Sequence, residues 1–300
     1  MKTYELALST IAVGTLLLMG CSSDDPEATD TNSGATGTTN GTAGTTNGAE
    51  TTNGTAGTTN SETGAVTTAA DETGTTGTSG GAEGLHPALG EFDVDNTEIY
   101  LDGEDIVLET NGFPNHTSPY WGEGHELYVE PQEGWAENAT PSLIPGHDGS
   151  FTLRVPVTPQ LAAQPTATPL DVIGLSVSGA AIFNEQEGMG VLSEGVAAGL
   201  DYSGGHIGPG RYHYHTEPIA ITNDDSNLLG ILTDGFFIYG RQCASTEGYP
   251  ADLDEAGGHT STTQHTDTPE YHYHIENILF LDNYYVIFDG DFQGTPGSVQ

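Results

Sequence analysis

A four-residue alternation occurs twice in the chain: Tyr212-His213-Tyr214-His215 and Tyr271-His272-Tyr273-His274. Alternate residues of an extended strand share a face, so each copy sets two imidazoles on one side and two phenol rings on the other. Same-face neighbours stand about 6.5–7 Å apart at the backbone. Two imidazoles leaning together from that separation can grip one metal ion at roughly 2.0–2.1 Å. Two such strands brought side by side would gather His213, His215, His272 and His274 around a single point, with the tyrosines packed into the core or an opposite sheet. The other reading of the same residues is an aromatic ladder in which every imidazole bonds a backbone group or a carboxylate.

The surroundings of both copies extend the pattern. His206 follows Gly204-Gly205, and His259 follows Gly257-Gly258. Loops this short of side chains let the backbone approach a site closely. Asp234 stands before Gly235 on an Asp-Gly turn, where its carboxylate can face a cleft. A carboxylate bonded to the far nitrogen of a metal-bound histidine fixes its tautomer, a part open to Asp234 or Asp254. A plain β-turn explains Asp-Gly equally well. His116 has a structured context. His86 and His265 read as solvated loop residues. Cys243 reads as a small buried hydrophobe and not as a reactive thiol.

Strand signals dominate the rest. Phe151–Val157 alternates and is rich in β-branched residues, and Val172–Phe183 is a longer apolar run broken by Gly174 and Gly179. Residues 126–130, 230–233 and 236–239 give further short strands, and 275–288 reads as a hairpin around Asp282-Asn283. Short helices are expected over 192–200 and 252–256. Gly and Pro punctuate nearly every run. The expected fold is mainly β, sandwich-like or a distorted barrel, with long ordered loops.

These segments resemble a known family. Gly205-His206-Ile207-Gly208-Pro209-Gly210-Arg211 followed by Tyr212–His215 is similar to the signature of the bacterial YHYH domain. Asn111-Gly112-Phe113-Pro114 resembles the family's early turn, and Gly174–Phe183 its central strand, with Ser178 where Asn is usual. Gly230 to Gly240 resembles its Asp-Gly-Phe motif, with Phe237 in place of Pro. Leu253-Asp254 to His259 resembles the stretch before a second Tyr-His element. The resemblance covers most of residues 105–290. It implies a secreted or surface protein and points to no particular chemistry, so the metal reading rests on the residues themselves.

The N-terminal third is different. Lys2, the apolar run Leu6–Met19 and Leu18-Met19-Gly20-Cys21 read as a lipoprotein signal over residues 1–20, with Cys21 acylated. With Cys21 so used, Cys243 has no disulfide partner within the chain. Residues 22–84 contain no aromatic, Lys, Arg or His, and residues 38–47 recur unchanged at 51–60. Such a segment cannot offset its chain entropy, and 21–84 reads as the lipidated Cys and a disordered tether spanning about 40–45 Å. The domain then occupies 85–300. The expected location is the bacterial cell envelope, with the membrane reached through the lipid anchor.

Charge narrows the function. The chain has 4 Lys plus Arg against 43 Asp plus Glu. Clustered bases for phosphate contacts are absent, which excludes nucleic-acid binding. No nucleophile elbow, phosphate loop, dinucleotide fingerprint or His-Glu-x-x-His helix is present. Three readings remain: a domain binding zinc or copper through His213, His215, His272 and His274, with His206, His259 and Asp234 in support; a metal-dependent hydrolase or oxidoreductase at the same cluster; and a metal-free module recognising a small molecule, glycan or protein. The address is directly testable. Cys21→Ser is expected to release soluble protein or leave unprocessed precursor, read by membrane fractionation; a processed, membrane-bound variant would overturn the lipoprotein reading.

Overall fold

The computed structural model describes residues 84–135, 142–188, 190–208 and 210–300. The expected signal segment, Cys21 and the tether through residue 83 lie outside the described residues. The first strands are β1 (Thr97–Asp102), β2 (Asp105–Thr110), β3 (Phe151–Pro156) and β4 (Leu161–Thr166). Then come β5 (Gly174–Ser176), β6 (Ala181–Ile182), β7 (Gln186–Glu187), β8 (Gly190–Val191), β9 (Gly205–Gly208) and β10 (Arg211–Tyr214). The last are β11 (Leu228–Leu232), β12 (Phe237–Tyr239), β13 (Gly258–Ser261), β14 (Glu270–His274), β15 (Phe292–Gly294) and β16 (Ser298–Val299). The fold is mainly β, as expected, but among the described residues no sheet closes into a barrel.

The central sheet has eight strands in the order β13-β14-β12-β11-β5-β6-β10-β9. That order is symmetric about the antiparallel pair β5–β11. On each side a hairpin (β5–β6 or β11–β12) is followed outward by a second hairpin (β9–β10 or β13–β14). In both halves the inner and outer hairpins meet through a parallel pair, β6 with β10 and β12 with β14. The sequence repeats accordingly. Gly174-Leu-Ser-Val-Ser-Gly-Ala-Ala-Ile-Phe183 corresponds to Gly230-Ile-Leu-Thr-Asp-Gly-Phe-Phe-Ile-Tyr239. Residues 200–206 correspond in the same way to 253–259, and Tyr212–His215 to Tyr271–His274.

A smaller antiparallel sheet, β1-β2-β3-β16, lies against one face of the central sheet. Strand β3 alternates as expected: Phe151, Leu153 and Val155 are buried, with half-buried residues between them. With Ile106 and Leu108 of β2 they pack on Leu175, Ala181, Ile231 and Phe237 of the central sheet. The opposite face is covered mainly by loops and forms a second core around Tyr214, Tyr273, Ile182, Ile238 and Trp121. The arrangement is a two-layer sandwich over the middle of the large sheet.

Three expected elements are not regular structure. Residues 126–130 make a single bridge, Tyr128 to Ser118, because Tyr128 N–H turns back onto the His125 carbonyl at 3.0 Å. Residues 275–288 contain only isolated bridges, Phe280 with Tyr284 and Thr216 with Val286. Leu281 and Asp282 take positive φ, 49° and 60°, and fold the chain too tightly for a ladder. Residues 252–256 form a turn, since the Asp254 carboxylate takes the Ala256 and Gly258 N–H groups at 2.9 and 3.0 Å and competes with a helix. Within 192–200 one helical turn forms, Glu194–Ala197, capped by Ser193. The hairpin β1–β2 and the pair β4–β15 carry no sequence expectation above.

Two glycines make the central pairing possible. A Cβ at Gly230 would stand 2.1 Å from the Leu175 carbonyl oxygen, and one at the equivalent Gly174 2.6 Å from that of Ile231. Gly230→Ala is therefore expected to destabilise the domain by about 1–3 kcal/mol or more, as overpacking does. Urea denaturation measures it; an unchanged midpoint would show that the pairing tolerates a side chain.

Candidate metal centres

The alternation of Tyr-His-Tyr-His works as the strand period requires. Tyr212, Tyr214 and Tyr273 enter the loop-covered core. The histidines point to the other face, where Phe183 stacks on His213 with ring centroids 3.8 Å apart. Each copy is completed by its own hairpin partner: His206 on β9 stands directly opposite His213, and His259 on β13 directly opposite His272.

The two copies do not share a site. Strands β10 and β14 are separated by four others in the sheet order, a distance of about 24 Å at ordinary strand spacing. The expectation of one centre with four imidazoles is therefore corrected to two centres of three. Each gains a fourth donor from the segment after the inner hairpin: Glu187 joins His206, His213 and His215, and Cys243 joins His259, His272 and His274. In each group the donor atoms lie within 4.8 Å of one another, so both are geometrically able to hold an ion.

The spacing is that of a coordination shell. Nε2 of His213 lies 3.1 Å from that of His206 and 3.0 Å from that of His215. Glu187 Oε2 stands 3.2, 3.6 and 3.9 Å from Nε2 of His215, His206 and His213. Four nitrogen or oxygen ligands arranged tetrahedrally around zinc stand about 3.3 Å apart. In the second group the ring centroids are 4.8, 5.2 and 5.0 Å apart, against 4.7, 5.2 and 4.8 Å in the first. Cys243 Sγ is 3.5 Å from His259 Nε2, close to the sulfur–nitrogen separation of about 3.5 Å in a tetrahedral zinc site.

The tautomers are set from behind. His215 Nδ1 donates to the Asn184 carbonyl at 2.7 Å, and His274 Nδ1 to the equivalent Gly240 carbonyl at 2.8 Å. His213 and His272 donate to the carbonyls two residues upstream, Arg211 and Glu270, at 3.3 and 3.0 Å. His259 Nδ1 donates to the Asp252 carboxylate at 2.9 Å. A neutral imidazole with its proton on Nδ1 presents a bare lone pair at Nε2. These lone pairs are aimed at one another. His274 Nε2 is buried and has no hydrogen-bond partner.

Burial lowers three of the imidazoles, His206, His215 and His272. Burial, then the neighbouring His213 and His215, hold His206 down to about 3. Burial, then His213, hold His215 down to about 4, and burial followed by His274 lowers His272. The Glu187 carboxyl is held at about 2, first by the His213 imidazole, with His206 and His215 adding to it against the opposing effect of burial. For Cys243 burial opposes ionisation, but the His274 imidazole and the Ser245 and Ser261 hydroxyls beside the sulfur outweigh it and carry the thiol down to about 4. Cys243 is thus a candidate ligand thiolate, contrary to the expectation of an inert hydrophobe.

Asp234 lies in neither group. Its carboxylate takes the Tyr273 hydroxyl at 2.6 Å and the Gly294 N–H at 2.9 Å, on the tyrosine face of the sheet. Ser178 takes the equivalent place, 2.8 Å from the Tyr214 hydroxyl. Asp254 likewise serves Tyr271, whose hydroxyl donates to it at 2.8 Å, as Asp201 serves Tyr212 at 2.8 Å. These carboxylates anchor the phenols and leave His213, His215, His272 and His274 to backbone carbonyls, because the strand period sends Tyr and His to opposite faces. His265 is not solvated: it bonds Tyr239 Oη at 3.1 Å and Glu91 at 2.9 Å. His86 caps a 3-10 turn and faces Glu270 at 3.1 Å. His116 bonds the Tyr214 hydroxyl at 2.6 Å, on the tyrosine side. Glu187 and Cys243 carry no local motif. The internal repeat is the signal that reveals them, since each stands four residues after the aromatic residue ending its inner hairpin, Phe183 or Tyr239.

Acid should weaken the metal-free fold. Unfolded imidazoles take protons near 6.5, whereas His206 and His215 resist until about 3 and 4. Between those values the unfolded state binds more protons, so stability falls as pH drops. The lowered Glu187 acts in the same sense, its contribution being lost as pH falls from its ordinary value towards about 2. In chelator-treated protein the urea midpoint is expected to fall from pH 7 to pH 4, less steeply in His215→Gln. A flat profile would contradict the burial of neutral imidazoles.

Comparison with known proteins adds a family and no relative. No curated protein matches the chain, and no solved structure does. The family model described as YHYH protein matches residues 152–249. That span takes in Glu187, His206, His213 and His215 and ends between Cys243 and His259. The matched segment, residues 152–249, is similar to the YHYH family and carries the whole of the first cluster.

Proposed function

We propose that this is a cell-envelope protein, held to a membrane through acylated Cys21, whose domain binds a transition-metal ion, zinc or copper, at each of the two clusters. One observation carries the reading: Nε2 atoms converge with a fourth donor while the Nδ1 protons of five of the six imidazoles, all but His206, are spent on fixed acceptors behind them. In the first cluster His213 and His215 set two lone pairs 3.0 Å apart beside a carboxylate. In the second, all three imidazoles are fixed through Nδ1, and the unpartnered His274 Nε2 is sealed from water. The Ser261 hydroxyl stands 3.2 Å from His259 Nε2, but a purely structural network would also give His274 Nε2 a partner, since a buried polar atom without one costs about 1–3 kcal/mol. A cation between them turns mutual repulsion into ligation. Imidazole suits both zinc and copper.

The test is metal content of the full chain purified without a histidine tag or a chelating column. Two ions per chain are expected. His213→Ala and His272→Ala should each abolish one and spare the other, with an affinity loss beyond the roughly 10–100-fold of an outer partner. His147→Gln, a histidine outside both clusters, should change neither. Metal-free protein that takes up no zinc or copper would favour the recognition module instead.

A further inference from the structure

The two clusters match in every imidazole and differ at one position. Glu187 and Cys243 occupy equivalent places in the repeat, after the equivalent carbonyls of Asn184 and Gly240 that fix His215 and His274. A carboxylate oxygen is a hard donor and a thiolate a soft one, and softness is a principal basis on which proteins sort divalent and monovalent transition ions.

Access differs along with chemistry. Cys243, His259, His272 and His274 are all buried, between 1% and 6% exposed. The void beside Cys243, His272 and His274 has no room for a water molecule. In the other cluster His213 and His215 are sealed, but the Glu187 side chain is 24% exposed and that of His206 12%. One corner of that cluster, the carboxylate corner, meets solvent. Closed four-ligand sets keep their ion, whereas three fixed ligands with one replaceable position allow exchange and substrate entry.

Resting on the metal-binding reading, we infer that this single position divides the labour: the Cys243 centre is a closed site for a thiophilic ion, and the Glu187 centre is an exchangeable one. At the second, the Glu187 oxygen is the ligand that gives way. Its bond to the ion breaks, an oxygen of water or of an oxygen-donor substrate bonds in its place, and the freed carboxylate remains beside the new ligand to accept its proton. No electron changes hands in that step.

Cobalt(II) reports both claims, because only a thiolate ligand adds a sulfur-to-cobalt charge-transfer band. Stripped full-length protein is reloaded with cobalt and then challenged with EDTA. Two ions are expected to leave in two phases at least 10-fold apart in rate, the band decaying only with the slow one. Cys243→Ser should remove the band and spare the fast phase. Glu187→Cys, made at the solvent-reaching corner, should add a second band and slow the fast phase. Circular dichroism checks that each variant is folded. Two ions leaving at one rate, a band that survives Cys243→Ser, or a fast phase indifferent to Glu187→Cys would each overturn this inference while metal binding itself stood. Failure to take up any ion would overturn both.

Discussion

The antiparallel pairing of β5 with β11 is the contact on which the rest depends. It joins two halves built from the same succession of hairpins, and it needs Gly174 and Gly230 to let two carbonyls approach where a methyl group would collide. Once that pair is made, every strand outward is placed by symmetry. The inner hairpins lie beside it, the parallel pairs follow, and the histidine-bearing hairpins fall at opposite ends of the sheet. The small sheet then covers only the middle of one face. Both imidazole clusters are left on that face, at its ends.

Within each half the strand period divides polar work between the two faces. Tyrosines go to the loop-covered core, where Asp201, Ser178, Asp254 and Asp234 receive or share their hydroxyl protons. Histidines go to the other face, where backbone carbonyls hold His213, His215, His272 and His274 from behind. Phenol anchors thus brace the strand while the imidazole tips converge. The same backbone that positions the tyrosine also positions its histidine neighbours, so the two sets cannot move independently.

Much of this was legible along the chain, and the part that was not has a physical reason. Tyr212–His215 and Tyr271–His274 announce extended backbone and opposite faces by residue type alone, and the glycine pairs before His206 and His259 lead those residues into the matching strands β9 and β13. How far apart the two copies lie depends on the β5–β11 pairing, a contact between segments whose local pattern says only that each is a strand. Asp-Gly at 234–235 suggests a cleft-facing carboxylate, but parity along the inner hairpin carries it to the tyrosine face. Glu187 ends the two-residue strand β7 and Cys243 makes an isolated bridge, stretches too short for any periodicity to show. Only superposing residues 174–187 on 230–243 brings them into register, a comparison of the chain with itself and not a reading of either segment alone.

The parallel pairs β6–β10 and β12–β14 carry a last consequence, for the order in which the chain assembles. A parallel pair cannot form through a tight turn, so each cluster waits on the closure of a long loop. Glu187 and His215 are 28 residues apart, yet their donor atoms end within 3.2 Å. An ion held between them would tie the two ends of that loop in the native state alone, like a clasp that a chelator can open. Each half of the molecule would then carry its own fastener at the outer rim of the sheet, where a terminal hairpin has a neighbour on one side only and is the part most ready to fray.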